Sequence, residues 1–221
     1  MTTPDWADVD GYIVDSLVRD PETTATLAAN AEAGLPAIDV SAAQGKFLHL
    51  LARSTGARRV LEIGTLGGFS TTWLARAVGE QGLVITLEYD PRHAKVAREN
   101  LDRAGVGDRV EIRVGAALDS LPVLADEQPA PFDLVFIDAD KVNNANYVRW
   151  ALRLTRPGAV IIVDNVVRAG AVVDADSEDA AVRASRELVE LLAAEPRLDA
   201  TVVQTVGSKG WDGFAYAVVG E

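Results

Sequence analysis

The stretch Val60-Leu-Glu-Ile-Gly-Thr-Leu-Gly-Gly-Phe-Ser70 decides the fold class of this chain. Residues 60–63 are mostly apolar, which is typical of a buried strand, and a helical pattern follows over residues 70–78. The glycines Gly64, Gly67 and Gly68 lie between them and let the backbone approach a ligand closely. A strand that runs through such a turn into a helix indicates a doubly wound α/β sheet, in which ligands bind at the carboxyl ends of strands.

The same alternation continues on the carboxyl-terminal side. Apolar runs predict strands at residues 60–63, 83–87, 110–114, 134–137 and 160–163, and helical stretches separate them at 70–78, 91–104, 117–124 and 143–154. Continuously apolar strands favour a parallel sheet covered on both faces. After a helix at 179–194, runs at 198–205 and 214–219 predict an antiparallel pair. The predicted fold is α/β: a doubly wound, Rossmann-like, seven-stranded sheet with an antiparallel last strand.

Helices are predicted before the first strand. Trp6, Val9, Ile13 and Leu17 share one helical face, and Pro21 opens a second helical segment. Ser41-Ala-Ala-Gln44 has the form of a capping box that starts a helix ending near residue 53. We therefore expect one domain over residues 1–221, with a helical cap at 1–55 and a core sheet at 59–221.

Charge and composition limit the classes of partner. The chain has 21 Lys and Arg and 33 Asp and Glu, a net charge of 21 − 33 = −12. An acidic surface repels phosphate backbones and anionic lipids, so we expect neither a nucleic-acid nor a membrane partner. Residues 1–10 lack the basic and apolar pattern of a signal peptide, which favours a cytoplasmic protein.

The residues available as metal ligands exclude most transition-metal sites. The chain has no cysteine, and its two histidines, His49 and His93, fall in different predicted helices. A zinc site is therefore not expected, and a metal would be a hard cation held by oxygen.

Two carboxylates accompany the first two strands. Glu62 lies beside the glycine turn, where an anion suits a positively charged ligand such as the sulfonium and amine of S-adenosylmethionine (SAM). The order Glu-x-Gly-x-x-Gly-Gly differs from the Gly-x-Gly-x-x-Gly of dinucleotide sites. Glu88 ends the second strand, where a carboxylate can accept bonds from two ribose hydroxyls. The alternatives are a purely structural turn at residues 64–68 and a helix-capping role for Glu88.

An acidic cluster is predicted where the fourth and fifth strands end. Asp138, Asp164 and Asn165 follow these strands, which should be neighbours in the sheet. Two carboxylates and an amide oxygen form a partial shell for a hard cation, and the converging charges would be unfavourable without one. The alternative is that both acids cap helices and pair with Lys or Arg, such as Lys141.

Together these motifs resemble the catechol and caffeoyl-CoA O-methyltransferase family, most closely its bacterial branch. The resemblance covers roughly residues 38–219 and includes Glu62-x-Gly64, Glu88, Asp138-Ala-Asp-Lys141 and Asp164-Asn165. It implies a cation-dependent methyltransferase that uses SAM, with Mg²⁺ as the usual metal and Mn²⁺ or Ca²⁺ as alternatives. The family is often dimeric, so the resemblance also implies a homodimer, with the N-terminal helices as candidate contacts.

The resemblance assigns roles residue by residue. Asp138, Asp164 and Asn165 would bind the metal, and Lys141 would be the catalytic base. The donor site would be lined by Val40, Glu62, Gly64, Thr65, Ser70, Glu88, Ala117, Asp138 and Asp140. A catechol hydroxyl has a pKa near that of Tyr, about 10, and chelation of both vicinal oxygens would favour its ionised, nucleophilic form.

The acceptor and two rival functions stay open. Plant-type caffeoyl-CoA enzymes carry a Trp-Asn pair where this chain has Arg168-Ala169, which disfavours a caffeoyl-CoA substrate. A free catechol, a flavonoid or a specialised metabolite stays open as the acceptor, and Arg168 could face an acidic one. The alternatives are a metal-independent methyltransferase and a non-catalytic adenosyl-binding module. An NAD-dependent dehydrogenase is disfavoured because the chain lacks Gly-x-Gly-x-x-Gly and a Tyr-Lys proton relay.

Overall fold

The structure is a computed structural model, and we describe residues 5–127 and 130–221. The first four residues of the expected helical cap lie outside this range. Among the described residues, no helix is long and apolar enough to cross a membrane.

A mixed sheet of seven strands forms the centre of the described chain, in the order β3-β2-β1-β4-β5-β7-β6. The first five strands along the chain pair in parallel, and β7 lies antiparallel between β5 and β6. The strands are β1 Arg59–Ile63, β2 Leu83–Glu88, β3 Val110–Val114, β4 Phe132–Ile137, β5 Thr155–Asp164, β6 Leu198–Gly207 and β7 Gly210–Val219.

Helices cover both faces of this sheet, as expected for parallel strands whose central members are mostly apolar. Several begin at side-chain caps: Asp20 before Pro21, Ser41, and Asp90 before Pro91. The helices are α1 Trp6–Ile13, α2 Pro21–Glu32, α3 Ala42–Ser54, α4 Phe69–Val78, α5 Pro91–Arg103, α6 Ala117–Glu127, α7 Asn144–Leu154 and α8 Ala180–Ala194.

The alternation of side chains along the strands divides the core in two. On β5, Ile161 and Val163 face the cluster that includes residues of α6, α7 and α8. Val160 and Ile162 face the other cluster, with residues of α3 and α4. Asp164 continues this alternation toward the α3 side, which brings the end of β5 close to the N-terminal helices.

The predicted α/β class, the parallel order and the closing antiparallel pair are confirmed. One local expectation is wrong. The runs predicted at 198–205 and 214–219 leave Trp211 in a short turn between the last two strands, but Trp211 lies in β7 and pairs with Val206. The connection consists of Ser208 and Lys209 alone, because the ladder continues through the glycines that suggested a loop.

The β6–β7 turn is held by elements from the start of the chain. Asp10 on α1 accepts a hydrogen bond from the Ser208 backbone N–H at 2.7 Å. Lys209 Nζ donates to the Ala37 carbonyl, in the segment before α3, at 3.2 Å. We call this pair of contacts the terminal clasp; it joins residues separated by 198 and 172 positions.

Candidate active site

The register of the sheet aligns the ends of four strands. Ile63 pairs with Leu87 and with Ile137, and Ile137 pairs with Val163. The next residue on each strand therefore falls in one row along the carboxyl edge of the sheet. That row consists of Gly64, Glu88, Asp138 and Asp164, all of which the sequence singled out as site residues.

Glu62 is fully buried one residue before this row, and hydroxyl groups surround its carboxylate. Ser70 donates to Oε1 at 2.6 Å, and Thr71 and Thr86 donate to Oε2 at 2.5 and 2.7 Å. Burial raises the pKa of Glu62 to about 7, although the three hydroxyl donors act in the opposite direction. Oε1 keeps capacity for a further hydrogen bond.

The glycines of the first turn are required by contacts within the protein. A Cβ on Gly64, where φ is +100°, would lie 2.1 Å from the carbonyl oxygen of Asp138. A Cβ on Gly67 would overlap the side chain of Asn30, and Gly68 is the left-handed N-cap of α4. The sequence suggested that these glycines let a ligand approach the backbone. The structure shows that they also let the turn pack closely against the end of β4 and against α2.

Glu88, the last residue of β2, binds the backbone of the glycine turn. Its Oε2 accepts the backbone N–H groups of Thr65 and Leu66 at 3.1 and 2.8 Å, and its Oε1 accepts that of Asp90 at 2.9 Å. His93 lies with Nδ1 3.3 Å from Oε1 of Glu88, and one fifth of its side chain is exposed. The carboxylate is thus preorganised beside the turn.

The predicted acidic cluster is assembled at the ends of β4 and β5. Lys141 Nζ lies 2.7 Å from Oδ1 of Asp138. Asp164 is 5% exposed and its Oδ1 accepts the backbone N–H of Asn165 at 2.8 Å. Burial and the charge of Asp138 raise the pKa of Asp164, while Lys141 lowers it.

The side chains that could bind a metal at this edge of the sheet are Asp138, Asp164 and Asn165, and they offer only oxygen atoms as ligands. Within the described residues, no group of three or more His, Cys, Asp or Glu could hold a metal ion. Any metal at this edge would depend on the two carboxylates together with the amide of Asn165. Asn165 has a left-handed φ of +59°, a conformation that Asn tolerates better than most residues.

Gln44 is a residue of this cluster that sequence reasoning missed. Its Nε2 donates to Oδ2 of Asp164 at 2.7 Å. The predicted capping box is only half formed: Ser41 Oγ accepts the Gln44 N–H at 3.2 Å, but the Gln44 side chain bonds Asp164 instead of the cap. A contact over 120 positions leaves no signal in a local pattern.

Three further residues predicted to bind the methyl donor, Asp140, Ala117 and Val40, lie at the ends of other elements of the fold. Asp140 is exposed, and its carboxylate accepts hydrogen bonds from Asn143 Nδ2 at 2.6 Å and from the Tyr147 hydroxyl. Ala117 begins α6, beyond the end of β3. Val40 is buried just before α3 and lines a cavity of about 300 Å³ together with Asp39 and Lys209.

The segment after Asn165 adopts an unusual backbone. Arg168, Ala169 and Gly170 have consecutive positive φ values of 57°, 52° and 86°. Asp212 holds this segment, because its Oδ1 accepts the N–H groups of Val167 and Arg168 at 3.0 and 2.9 Å. Nε of Arg168 is buried without a hydrogen-bond partner in the described part of the chain.

A larger cavity of about 630 Å³ is lined in part by this segment. Trp211 lines it, and a Cβ on Gly170 would lie 2.6 Å from the Trp211 ring, so the segment and the indole are in close contact. The remaining lining residues are mostly valines of the segment, α8 and β6: Val166, Val167, Val172, Val173, Val189 and Val202.

Known proteins are similar to this chain in sequence and in fold. Residues 17–211 match a family model described as O-methyltransferase. A catechol O-methyltransferase of Mycobacterium tuberculosis is 61% identical over 98% of this chain and 97% of its own length, and one of Niastella koreensis is 51% identical over 96% of each. The crystal structure of an O-methyltransferase from Bacillus cereus in complex with SAH is 56% identical, with a TM-score of 0.95 over 97% of this chain and 98% of that one.

Proposed function

Because the chain belongs to the O-methyltransferase family, we propose that it transfers the methyl group of SAM to a hydroxyl of a catechol-like small molecule with the help of a divalent cation. It is an O-methyltransferase. The observation that carries the finer proposal is the row of Glu88, Asp138 and Asp164 at one sheet edge, with Lys141 against Asp138.

The proposed donor site follows the glycine turn. The complex of the Bacillus cereus enzyme with SAH supports the use of SAM, since the two chains share 56% of their residues. We assign the ribose hydroxyls to Glu88 and the methionine end to the region of Glu62 and Asp138. The other proposed donor contacts are Val40, Gly64, Thr65, Ser70, Ala117 and Asp140.

The proposed metal ligands are Asp138, Asp164 and Asn165. Their chemistry fits a hard cation, because two carboxylates and an amide offer oxygen only and leave positions for further ligands. The mutual repulsion that raises the pKa of Asp164 also favours a positive charge between the two acids. A bound divalent cation such as Mg²⁺ would stabilise the ionised form of a hydroxyl that it contacts.

Lys141 is the proposed base. It follows Asp138 by three residues, and 15% of its side chain is exposed. With a cation bound to Asp138, the ammonium form of Lys141 would be disfavoured, and the neutral Nζ would then take the proton of the acceptor hydroxyl. The resulting oxygen anion would attack the methyl group in line with the sulfur leaving group. Fixing donor and acceptor in this geometry supplies a large part of the rate enhancement expected of such a site.

The acceptor is proposed to be a small hydroxylated aromatic with two vicinal oxygens. The names of two similar curated relatives, both catechol O-methyltransferases, support a catechol. Ala169 has no side-chain hydrogen-bonding group, so it cannot fix an acceptor in the way that an Asn at this position would.

One experiment tests the reaction and its dependence on metal. Purified protein is given methyl-labelled SAM and a panel of catechols, either with Mg²⁺ or with EDTA. We expect methylated catechol with Mg²⁺ and little turnover with EDTA. Full turnover in EDTA would identify a metal-independent methyltransferase, and SAM binding without methylation of any acceptor would identify a binding module.

The same assay tests the base. Lys141→Ala should lower kcat by about 10² to 10⁴-fold, the range typical of a lost general base, while SAH affinity measured by calorimetry stays within about twofold. Lys95→Ala serves as control, because Lys95 is an exposed lysine on α5. Equal turnover in both variants would remove Lys141 from the mechanism.

A cytoplasmic homodimer remains our prediction for the assembled enzyme. The proposed contact surface is on α1 and the π-helical turn Val14–Val18 that follows it, where Trp6, Tyr12 and Leu17 are more than half exposed. Light scattering on the purified chain tests this, and a monomeric mass at micromolar concentration would contradict it.

A further inference from the structure

Gln44 links the N-terminal helices to the acidic cluster through a single hydrogen bond. Its Nε2 lies 2.7 Å from Oδ2 of Asp164, which is 5% exposed, whereas Gln44 itself is only partly buried. A hydrogen bond to an ionised acceptor is about twice as strong as one between neutral groups. The contact therefore has the strength to hold the carboxylate in one orientation.

The bonds to Asp164 divide evenly between its two oxygens. Oδ1 accepts the N–H of Asn165 at 2.8 Å, and Oδ2 accepts the Gln44 amide. Each carboxylate oxygen can accept about two bonds, so each keeps a lone pair for a further partner. A side chain fixed in this way presents those lone pairs in a defined direction.

The position of Gln44 is itself fixed by the packing of α3. Ser41 caps the first turn through the Gln44 N–H. The next residue, Gly45, lies so close to Trp73 on α4 that a Cβ there would be 2.4 Å from the indole ring. Because only glycine permits this approach, α3 sits against α4 with Gln44 directed at the end of β5.

We propose that Gln44 is a positioning residue for Asp164 and sets the affinity of the acidic cluster for a divalent cation. This rests on the proposed metal site. Groups that orient a metal ligand without touching the metal change affinity by about 10 to 100-fold when they are removed. Gln44 would thus act on cation binding, with little effect on the donor site.

The test measures Mn²⁺ binding by water-proton relaxation, which needs no turnover. Gln44→Leu should weaken Mn²⁺ binding about tenfold and leave SAH affinity within about twofold. Leu50→Ala is the control, because Leu50 is an exposed residue of the same helix. Mn²⁺ affinity equal to wild type in Gln44→Leu would overturn the proposal.

Asp164→Asn separates this result from a failure of the metal site. If wild type binds no Mn²⁺, or if Asp164→Asn binds it equally well, the proposed metal site fails. If Asp164→Asn loses binding while Gln44→Leu keeps it, the site stands and the role of Gln44 is overturned.

A second variant keeps the test informative if Gln44→Leu folds poorly. Gln44→Glu places a carboxylate where the amide faces Asp164, so we expect a lower melting temperature without metal and a larger increase with Mn²⁺ than in wild type. An unchanged metal-free melting temperature would show that the Gln44–Asp164 contact is absent in solution and would overturn the proposal.

Discussion

Glu62 carries a carboxyl group in a fully buried position, and its ionisation should therefore affect stability. Burial raises the pKa of Glu62 from its ordinary 4.5 to about 7 in the folded protein. Because the folded state holds the proton more tightly than the unfolded state, the contribution of this group is fully present below pH 4.5 and is lost as pH rises through about 7.

Replacing Glu62 with Gln should remove this dependence. The free energy of unfolding of Glu62→Gln, relative to wild type, should increase between pH 4 and pH 8 by up to about 3 kcal/mol, the equivalent of the pKa shift. Urea unfolding of both proteins at the two pH values measures this, and other titrating groups cancel in the difference. A difference independent of pH would mean that folding does not raise the pKa of Glu62 above its value in the unfolded chain.

Gly64 combines a left-handed backbone with a close neighbour, and these two effects can be separated. Gly56 also has a positive φ, of 67°, but a Cβ there would meet nothing within 4 Å. Gly56→Ala should cost about 1 to 2 kcal/mol of stability from the backbone alone. Gly64→Ala should cost distinctly more, because the Cβ would lie 2.1 Å from the Asp138 carbonyl oxygen. Equal losses in urea unfolding would contradict the steric argument.

Single residues also show where prediction from sequence ends. Glu62, Glu88, Asp138 and Asp164 were predictable because each lies at or next to the end of a strand, where the fold class fixes its location. Gln44 was not, because its partner lies on an element that only the tertiary packing brings to α3.

Among the elements, the segment from Asn165 to Val173 depends on one side chain of another element. Asp212 on β7 accepts N–H groups of Val167 and Arg168, and three consecutive residues of this segment have positive φ. Non-glycine residues in this conformation persist only where surrounding contacts impose it.

Asp212→Ala should therefore loosen the segment next to the proposed metal ligands. We expect a loss of about 2 to 3 kcal/mol in unfolding free energy, from unpaired N–H groups that had bonded a carboxylate, and faster hydrogen exchange in residues 166–173. Asp199→Ala, on the exposed face of β6, is the control. Unchanged exchange in this segment would show that Asp212 does not hold it.

The strands and helices were largely predictable because their apolar period survives into the structure. All seven strand patterns became strands. The signal was clearest for the central parallel strands, which are buried and therefore mostly apolar. The predicted start of β7 was wrong. Trp211-Asp-Gly213 has the composition of a loop, but these residues pair with residues 204–206 of β6 and belong to the strand. Tertiary context here overrides local preference.

Across the whole molecule, the sheet order determines the site. The neighbouring strands β1, β2, β4 and β5 end at the same level of the sheet. Site residues that are far apart in the sequence, from Glu62 to Asn165, therefore lie close together there. The class of fold predicts that convergence. It does not predict the orientation of each side chain, which depends on packing: Asp140 turns to Tyr147, and Glu88 to the backbone of the first turn.

The terminal clasp also has a consequence for synthesis on the ribosome. Ser208 and Lys209 bind residues made about 170 to 200 positions earlier, and β7, made after them, is inserted between β5 and β6. Contacts between such distant positions form late, because the loop that they close is long. In a nascent chain that ends before residue 207, β7 has not yet been made. The edge of β5 that includes Asp164 therefore has no strand paired with it. Such an exposed edge is a target for chaperones and for aggregation until the last hairpin emerges.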